Sequence, residues 1–215
     1  MKFSGNGLDQ QTKELAVIVV WDIGNVLLNW DCAGLLASLE LTEAQRECYL
    51  HELFGHPDWQ RFDKGELYEA DLEQRMQTRH GLSPALTQRV IAASQASLVE
   101  IPRSVALLEQ MAAAGLELYA LSNMPEETYA LLRQKPLFRY FRGVLISGEE
   151  KLIKPDAAIF ARFEARFGLS AAELFFIDDH QPNIVAAHQA GWDALRFERT
   201  DACYDAIRRK VGLAC

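Results

Sequence analysis

The chain has 215 residues, a formal net charge of -8 and 49% apolar residues. No basic stripe interrupts the acidic balance, which argues against nucleic acid and anionic membrane surfaces as partners, while the apolar content suffices for a sizeable core. Four cysteines, at 32, 48, 203 and 215, form no C-x-x-C pair and no zinc-finger spacing. They predict reduced thiols in a cytoplasmic protein. No apolar run is long enough to span a bilayer, and the N-terminus lacks the apolar core of a signal peptide.

Residues 1–16 are polar and predict a loose leader. Val17-Ile18-Val19-Val20-Trp21 is a short apolar run of the kind a buried strand requires, and it ends in Asp22. Gly24 allows the chain to turn tightly just beyond it. Residues 24–31 predict a turn and a small hairpin. Helices are expected throughout 33–100. Thr42 to Gln45 fits a capping box. Leu50, Leu53 and Phe54 follow at helical spacing, a helix is expected from Glu66 to about Arg79, and Ser83-Pro84 opens another. From Pro102 the pattern alternates. Strands are expected at 116–121, 143–147, 174–177 and 194–197, separated by helices that end at Gly115, Gly168 and Gly191. A last helix begins near Asp201, whose side chain can cap it. This alternation predicts a parallel sheet with helices on both faces, a three-layer α/β/α domain. Its segments are 17–31 and 102–215, with a helical insert at 32–101. Two chain crossings, near Asp31 and Pro102, join the two parts.

The strand ends carry the chemistry. The first ends in Asp22, the second in Ser122-Asn123, the fourth in Asp178-Asp179, and Lys154-Pro155 opens a helix after the third. In a parallel sheet these ends share one edge, where ligands bind. Like charges about 4 Å apart repel by on the order of 4 kcal/mol at an effective dielectric of 20. Three carboxylates with one lysine therefore call for protonation or for a cation, and for a cation hard oxygen ligands favour Mg²⁺. Lys154 then serves a second anion, such as a substrate phosphate.

Together the four motifs resemble those of the haloacid dehalogenase (HAD)-like hydrolase superfamily. They are Asp22-Ile23-Gly24-Asn25-Val26, Ser122-Asn123, Lys154-Pro155, and Asp178-Asp179 with Asn183 behind it. The resemblance implies a Rossmannoid core, with the insert as an alpha-helical cap that sets substrate choice. It implies Asp22 as a nucleophile that forms an aspartyl-phosphate. It assigns Mg²⁺ to Asp22, the Gly24 carbonyl, Asp178 and Asp179. Phosphate oxygens fall to Ser122, the Asn123 amide and Lys154, and Lys154 also orients Asp22. The implied activity is hydrolysis of a small phosphorylated metabolite by a monomer or homodimer.

The sequence departs from the family at Gly24. Most family phosphatases carry there a second Asp, which protonates the leaving group. Gly at this position is similar to a branch that includes glucose-1-phosphate phosphatases, which points to sugar 1-phosphates or similarly activated esters. Replacement acids are sought at His180, His56, Asp63 and Glu66, each of a type that is ordinarily a surface residue. The segment 52–59, with Asp63, is placed to face the site from the insert. Two other readings stand beside this one. A 2-haloacid dehalogenase also lacks the second Asp, but it needs no metal and leaves the Asp178-Asp179 pair unexplained. A regulatory protein that kept the fold is favoured by Gly24 and opposed by Asp22, Lys154 and the acid pair. Lys151 as a helper of Lys154, and roles for His51, His80 and His188, give way to ordinary surface readings. Phe160, Phe163 and Phe167 read as a helix stripe packed on the sheet.

Overall fold

A computed structural model describes residues 17–214; the leader expected over 1–16 and Cys215 lie outside the described residues. Five strands, β1 (Ile18–Trp21), β2 (Leu118–Ser122), β3 (Gly143–Ile146), β4 (Leu174–Asp178) and β5 (Asp193–Arg196), form one sheet in the order β3-β2-β1-β4-β5. All four pairings are parallel. Parallel neighbours need a crossover connection, and helices supply it. The chain steps outward from β1 to β2 and β3, then returns to the other side of β1 for β4 and β5. The carboxyl end of β1 therefore lies where the strand order reverses, which is where open α/β sheets bind ligands.

Successive side chains of β1 face opposite sides. Val19 and Trp21 enter one core with α6 (Pro102–Ala113) and α11 (Asp201–Lys210). Ile18 and Val20 enter another with α9 (Ala157–Phe167) and α10 (Gln181–Gln189). Phe160 and Phe163 are fully buried there against Phe176 and Trp192, as a stripe on the sheet should be. Between β1 and α6 run α1 (Cys32–Ser38), α2 (Glu43–Cys48), α3 (Pro57–Asp63), α4 (Glu69–His80) and α5 (Pro84–Ala96). They enclose a third cluster that includes Leu53, Phe62, Met76 and Ile91. The capping box forms at Thr42, and α2 continues as a wider π-helical segment to Phe54. Buried Asp58 takes contacts from Arg61, Arg75, Arg79 and His56.

Four local expectations change. The hairpin after Asp22 is instead a tight turn, in which Asn25 adopts φ +55 and its N–H donates to the Leu28 carbonyl at 2.7 Å. The helix expected from Glu66 starts at Glu69, because the Asp71 carboxylate accepts the Tyr68 N–H at 2.9 Å and fixes the first turn there. Lys154 and Pro155 precede α9 rather than opening it, because a short helix, α8 (Ser147–Glu150), takes up the chain after β3. The last helix is capped by Thr200, whose hydroxyl accepts the Cys203 N–H, with Asp201 as its first residue.

Candidate active site

Asp22 follows β1 at the centre of the sheet, with its N–H donating to the Ile177 carbonyl at 2.9 Å. Lys154 reaches it from the loop after α8. Its ammonium donates to Asp22 Oδ1 at 2.8 Å, to Asp178 Oδ2 at 2.7 Å and to the Leu121 carbonyl at 2.9 Å. An ammonium has three N–H donors, and all three are engaged. Lys154 thus sits between two acids as an orienting cation. Of the two roles expected for it, orienting Asp22 and holding phosphate, this geometry concerns the first: its donors lie on Asp22, Asp178 and Leu121. Charges on Asp178 and Asp22 favour the ammonium and raise Lys154 against the opposing pull of burial.

Asp178 ends β4 and is fully buried. Besides Lys154 it accepts the His180 N–H at 2.8 Å and the Asn183 side-chain amide at 3.1 and 2.9 Å. Asn183 on α10 is thereby a positioning residue behind the acid. Asp179, the residue after Asp178, is half-buried. Burial pushes the Asp22 carboxyl up to about 7, with Lys154 opposing and Asp178 reinforcing the rise. Burial and the charge of Asp178 also raise Asp179. Oxygens of Asp22, Asp178 and Asp179 lie within 4.8 Å of one another. Three acids face one cation already shared between two of them, so the oxygen donors and their excess charge fit a hard divalent ion.

Ser122 is buried at the end of β2 and lines the same cavity as Gly24. Asn123 does something the sequence did not indicate. Its side-chain amide donates to the Lys154 carbonyl at 2.9 Å and its oxygen accepts the Lys154 N–H at 2.8 Å. This two-point clamp fixes the lysine's backbone and commits the Asn123 side chain to it. Lys151 is also spent structurally, donating to the carbonyls of Gly65 and Gly148. A Cβ built on Gly24 would meet nothing within 4 Å, so the position left without an acid opens into free space.

That space is a cavity of about 120 Å³ between the strand ends and the helical block. Trp30, Trp59, Phe62 and Asp63 contribute to its wall, with Ile91 and Leu98 from beyond. Trp59 and Trp30 sit 5.8 Å apart between ring centres, and Phe54 and Phe62 pack on Trp59 at 4.8 and 5.4 Å. Of the four replacement acids, only Asp63 lines this cavity. Glu66 is exposed and pairs with Lys64 and Arg61, and His56 caps α3 beside Asp58. The spacing of Trp59, Phe62 and Asp63 on one face of α3 was the available signal for this wall.

The model of the haloacid dehalogenase-like hydrolase family matches residues 18–191. Sesquiterpene phosphatase astK of Aspergillus oryzae is 24% identical over 195 residues, covering 90% of this chain and 95% of its own. A HAD family enzyme of Bacteroides thetaiotaomicron, in complex with magnesium and inorganic phosphate, matches with a TM-score of 0.67 and 22% identity, over 86% of this chain and 96% of that one. A dehalogenase in an intermediate complex matches at 0.70 and 20% identity, over 94% and 98%. At such identities the two structures attest the fold. With the family model spanning every strand except β5 and all four motif positions, the chain belongs to the haloacid dehalogenase-like hydrolases.

Proposed function

We propose that this hydrolase is a Mg²⁺-dependent phosphatase for a small phosphorylated metabolite, with Asp22 as nucleophile. The observation that carries the reading is the Lys154 bridge, which holds the buried Asp22 carboxylate beside Asp178 and Asp179 at the strand ends, two residues before Gly24, which lines the cavity with Ser122. Asp22, the Gly24 carbonyl, Asp178 and Asp179 would hold the ion. Asp178, already supplied with donors, would act through water or by charge, and Asp179 more directly. When bound, the ion neutralises charge on the phosphate and on the acids. The residues of the chain do the rest. Lys154 fixes the rotamer of Asp22 and offsets its charge until attack. Ser122 and the Asn123 N–H receive phosphate oxygens. An Asp22 carboxylate oxygen attacks phosphorus, the ester bond to the leaving oxygen breaks, and water then releases phosphate and restores the carboxylate. The helical block acts as the cap over this site. The phosphatase name of the Aspergillus relative, which is matched over nearly its whole length, supports the reading.

A dehalogenase reading has the matched dehalogenase structures in its favour. The acid pair speaks against it, because Asp178 and Asp179 add negative charge where no ion is needed. The sugar 1-phosphate expectation rested on Gly24 and an activated leaving group; the open space at Gly24 is compatible with any activated ester. Phosphate release from nitrophenyl phosphate, with and without Mg²⁺, tests the proposal. Release that requires Mg²⁺ and vanishes in Asp22→Asn supports it, and halide release from a 2-haloacid without metal overturns it.

A further inference from the structure

The wall of the cavity is largely apolar, and apart from Ser122 and Asp63 its polar side chains are already engaged. The Ser94 hydroxyl donates to the Ile91 carbonyl at 2.7 Å. The Gln95 amide donates to Glu69 at 2.7 Å and to Thr128 at 3.3 Å. Asn123 is committed to Lys154. Around them stand Trp30, Trp59, Phe62, Ile91, Leu98 and Met124. A sugar would bring several hydroxyls into this space with few partners to meet them. Each one left unpaired weakens binding by on the order of tenfold or more. The volume, about 120 Å³, approaches the roughly 150 Å³ of an engineered cavity that accepts benzene.

One polar side chain in the wall stands apart. Asp63 ends α3, with no hydrogen bond or ion pair to its carboxyl among the described residues, and burial alone pushes it up to about 8. Its main chain is held in place. The Ser147 hydroxyl donates to the Asp63 carbonyl and accepts the Met124 N–H at 2.8 Å, tying α3 to the loop that follows Ser122. A carboxyl without a partner among the described residues, whose neutral form burial favours, thus shares the cavity with Gly24, the position that lacks an acid.

We propose, resting on the phosphatase reading, that the site takes phosphate monoesters of compact apolar or aryl alcohols, and that Asp63 gives the departing oxygen its proton. As Asp22 forms its bond to phosphorus, the ester P–O bond breaks, and the Asp63 proton moves to the leaving oxygen. The products are a neutral alcohol, the aspartyl-phosphate and an Asp63 carboxylate. Water then attacks phosphorus and passes its proton to solvent, which frees phosphate and the Asp22 carboxylate, and Asp63 takes a proton back from solvent, so both acids return to their starting states.

Three substrates separate the outcomes: benzyl phosphate, glucose 1-phosphate and nitrophenyl phosphate, whose leaving group needs no proton. Wild-type kcat/KM should favour benzyl phosphate over glucose 1-phosphate by about 100-fold or more, from two or more unpaired hydroxyls. Asp63→Asn should lower the benzyl phosphate rate by roughly 10²- to 10⁴-fold and leave nitrophenyl phosphate within about threefold. Equal or better use of glucose 1-phosphate overturns the substrate class. Equal losses on both aromatic esters, or no loss on either, overturn the proton role. If Asp63→Asn does not fold, ring-substituted phenyl phosphates of graded leaving-group acidity serve on the wild type. A nearly flat rate supports proton donation and a steep one overturns it. Absence of Mg²⁺-dependent release from nitrophenyl phosphate sinks the phosphatase reading itself, and the inference with it.

Discussion

The strand ends and the cavity wall face each other yet are built in opposite ways. At the strand ends every strong group is wired. Lys154 spends all three donors, Asp178 accepts from Lys154, His180 and Asn183, and Asn123 clamps the lysine's backbone. Across the cavity the helical block offers aromatic rings and one carboxyl with no partner among the described residues. A wired site fixes geometry in advance, which is what phosphoryl transfer demands and which varies little with the alcohol. On the reading proposed above, an apolar wall with one proton to give discriminates among alcohols. Reaction type and substrate choice then reside in separate parts of one chain, and each can be altered without the other.

Asp22→Asn strikes the wired side and carries the largest effect. Phosphate release from every substrate should fall by at least about 10³-fold while the fold survives, as circular dichroism would show. Selective loss on one ester would instead mean that the two sides are not separable. Lys154→Met comes next. It leaves Asp22 and Asp178 buried without their cation, a loss of about 3–5 kcal/mol. At roughly 2–4 °C per kcal/mol for a chain of this size, Tm should drop by roughly 6–20 °C in a thermal melt. An unchanged Tm would show that the bridge contributes nothing to folding.

Asp63→Asn sharpens the comparison from the other side through pH. The Asp63 carboxyl moves from an ordinary 3.8 to about 8 on folding. Between those values the folded chain holds a proton that the unfolded chain has released, so wild-type stability declines as pH rises and the contribution is gone above about 8. The variant lacks this decline. Its Tm relative to wild type should therefore rise between pH 4 and pH 8.5, by an amount worth about 1–3 kcal/mol once the cavity's access to water is allowed for. A difference independent of pH would mean that Asp63 is ionised in the folded protein. Trp59→Ala is the smallest change. KM for benzyl phosphate should rise about tenfold, from lost ring contact, while inhibition by inorganic phosphate stays as it was. Equal weakening of both would join the wall to the phosphate site.

Much of the wired side was legible because each residue sits at a strand end, and strand ends show in local pattern. The runs before Asp22, Ser122 and Asp178 all became strands that pair in parallel. What stayed hidden depends on contacts distant in sequence. Nothing around Lys154 says that Leu121 will take its third donor, and nothing around Asn123 says that its side chain will bind Lys154 instead of a phosphate. Asp63 could be named as one of four acids but not chosen. Its selection required its place in the cavity wall and the engagement of Glu66 by Lys64 and Arg61 on the outside. The start of α4 moved because the Asp71 carboxylate competes for a backbone N–H, an interaction that helical periodicity does not register.

The most direct test of the central claim is to trap the covalent intermediate. Stoichiometric enzyme would be quenched in acid within one turnover of benzyl phosphate and Mg²⁺, and the digested protein weighed by mass spectrometry. A phosphoryl group on the peptide that holds Asp22, absent from Asp22→Asn and from protein without substrate, is the predicted result. Turnover that proceeds with no phosphoryl group on that peptide, or with one at another residue, would contradict the assignment of Asp22 as nucleophile.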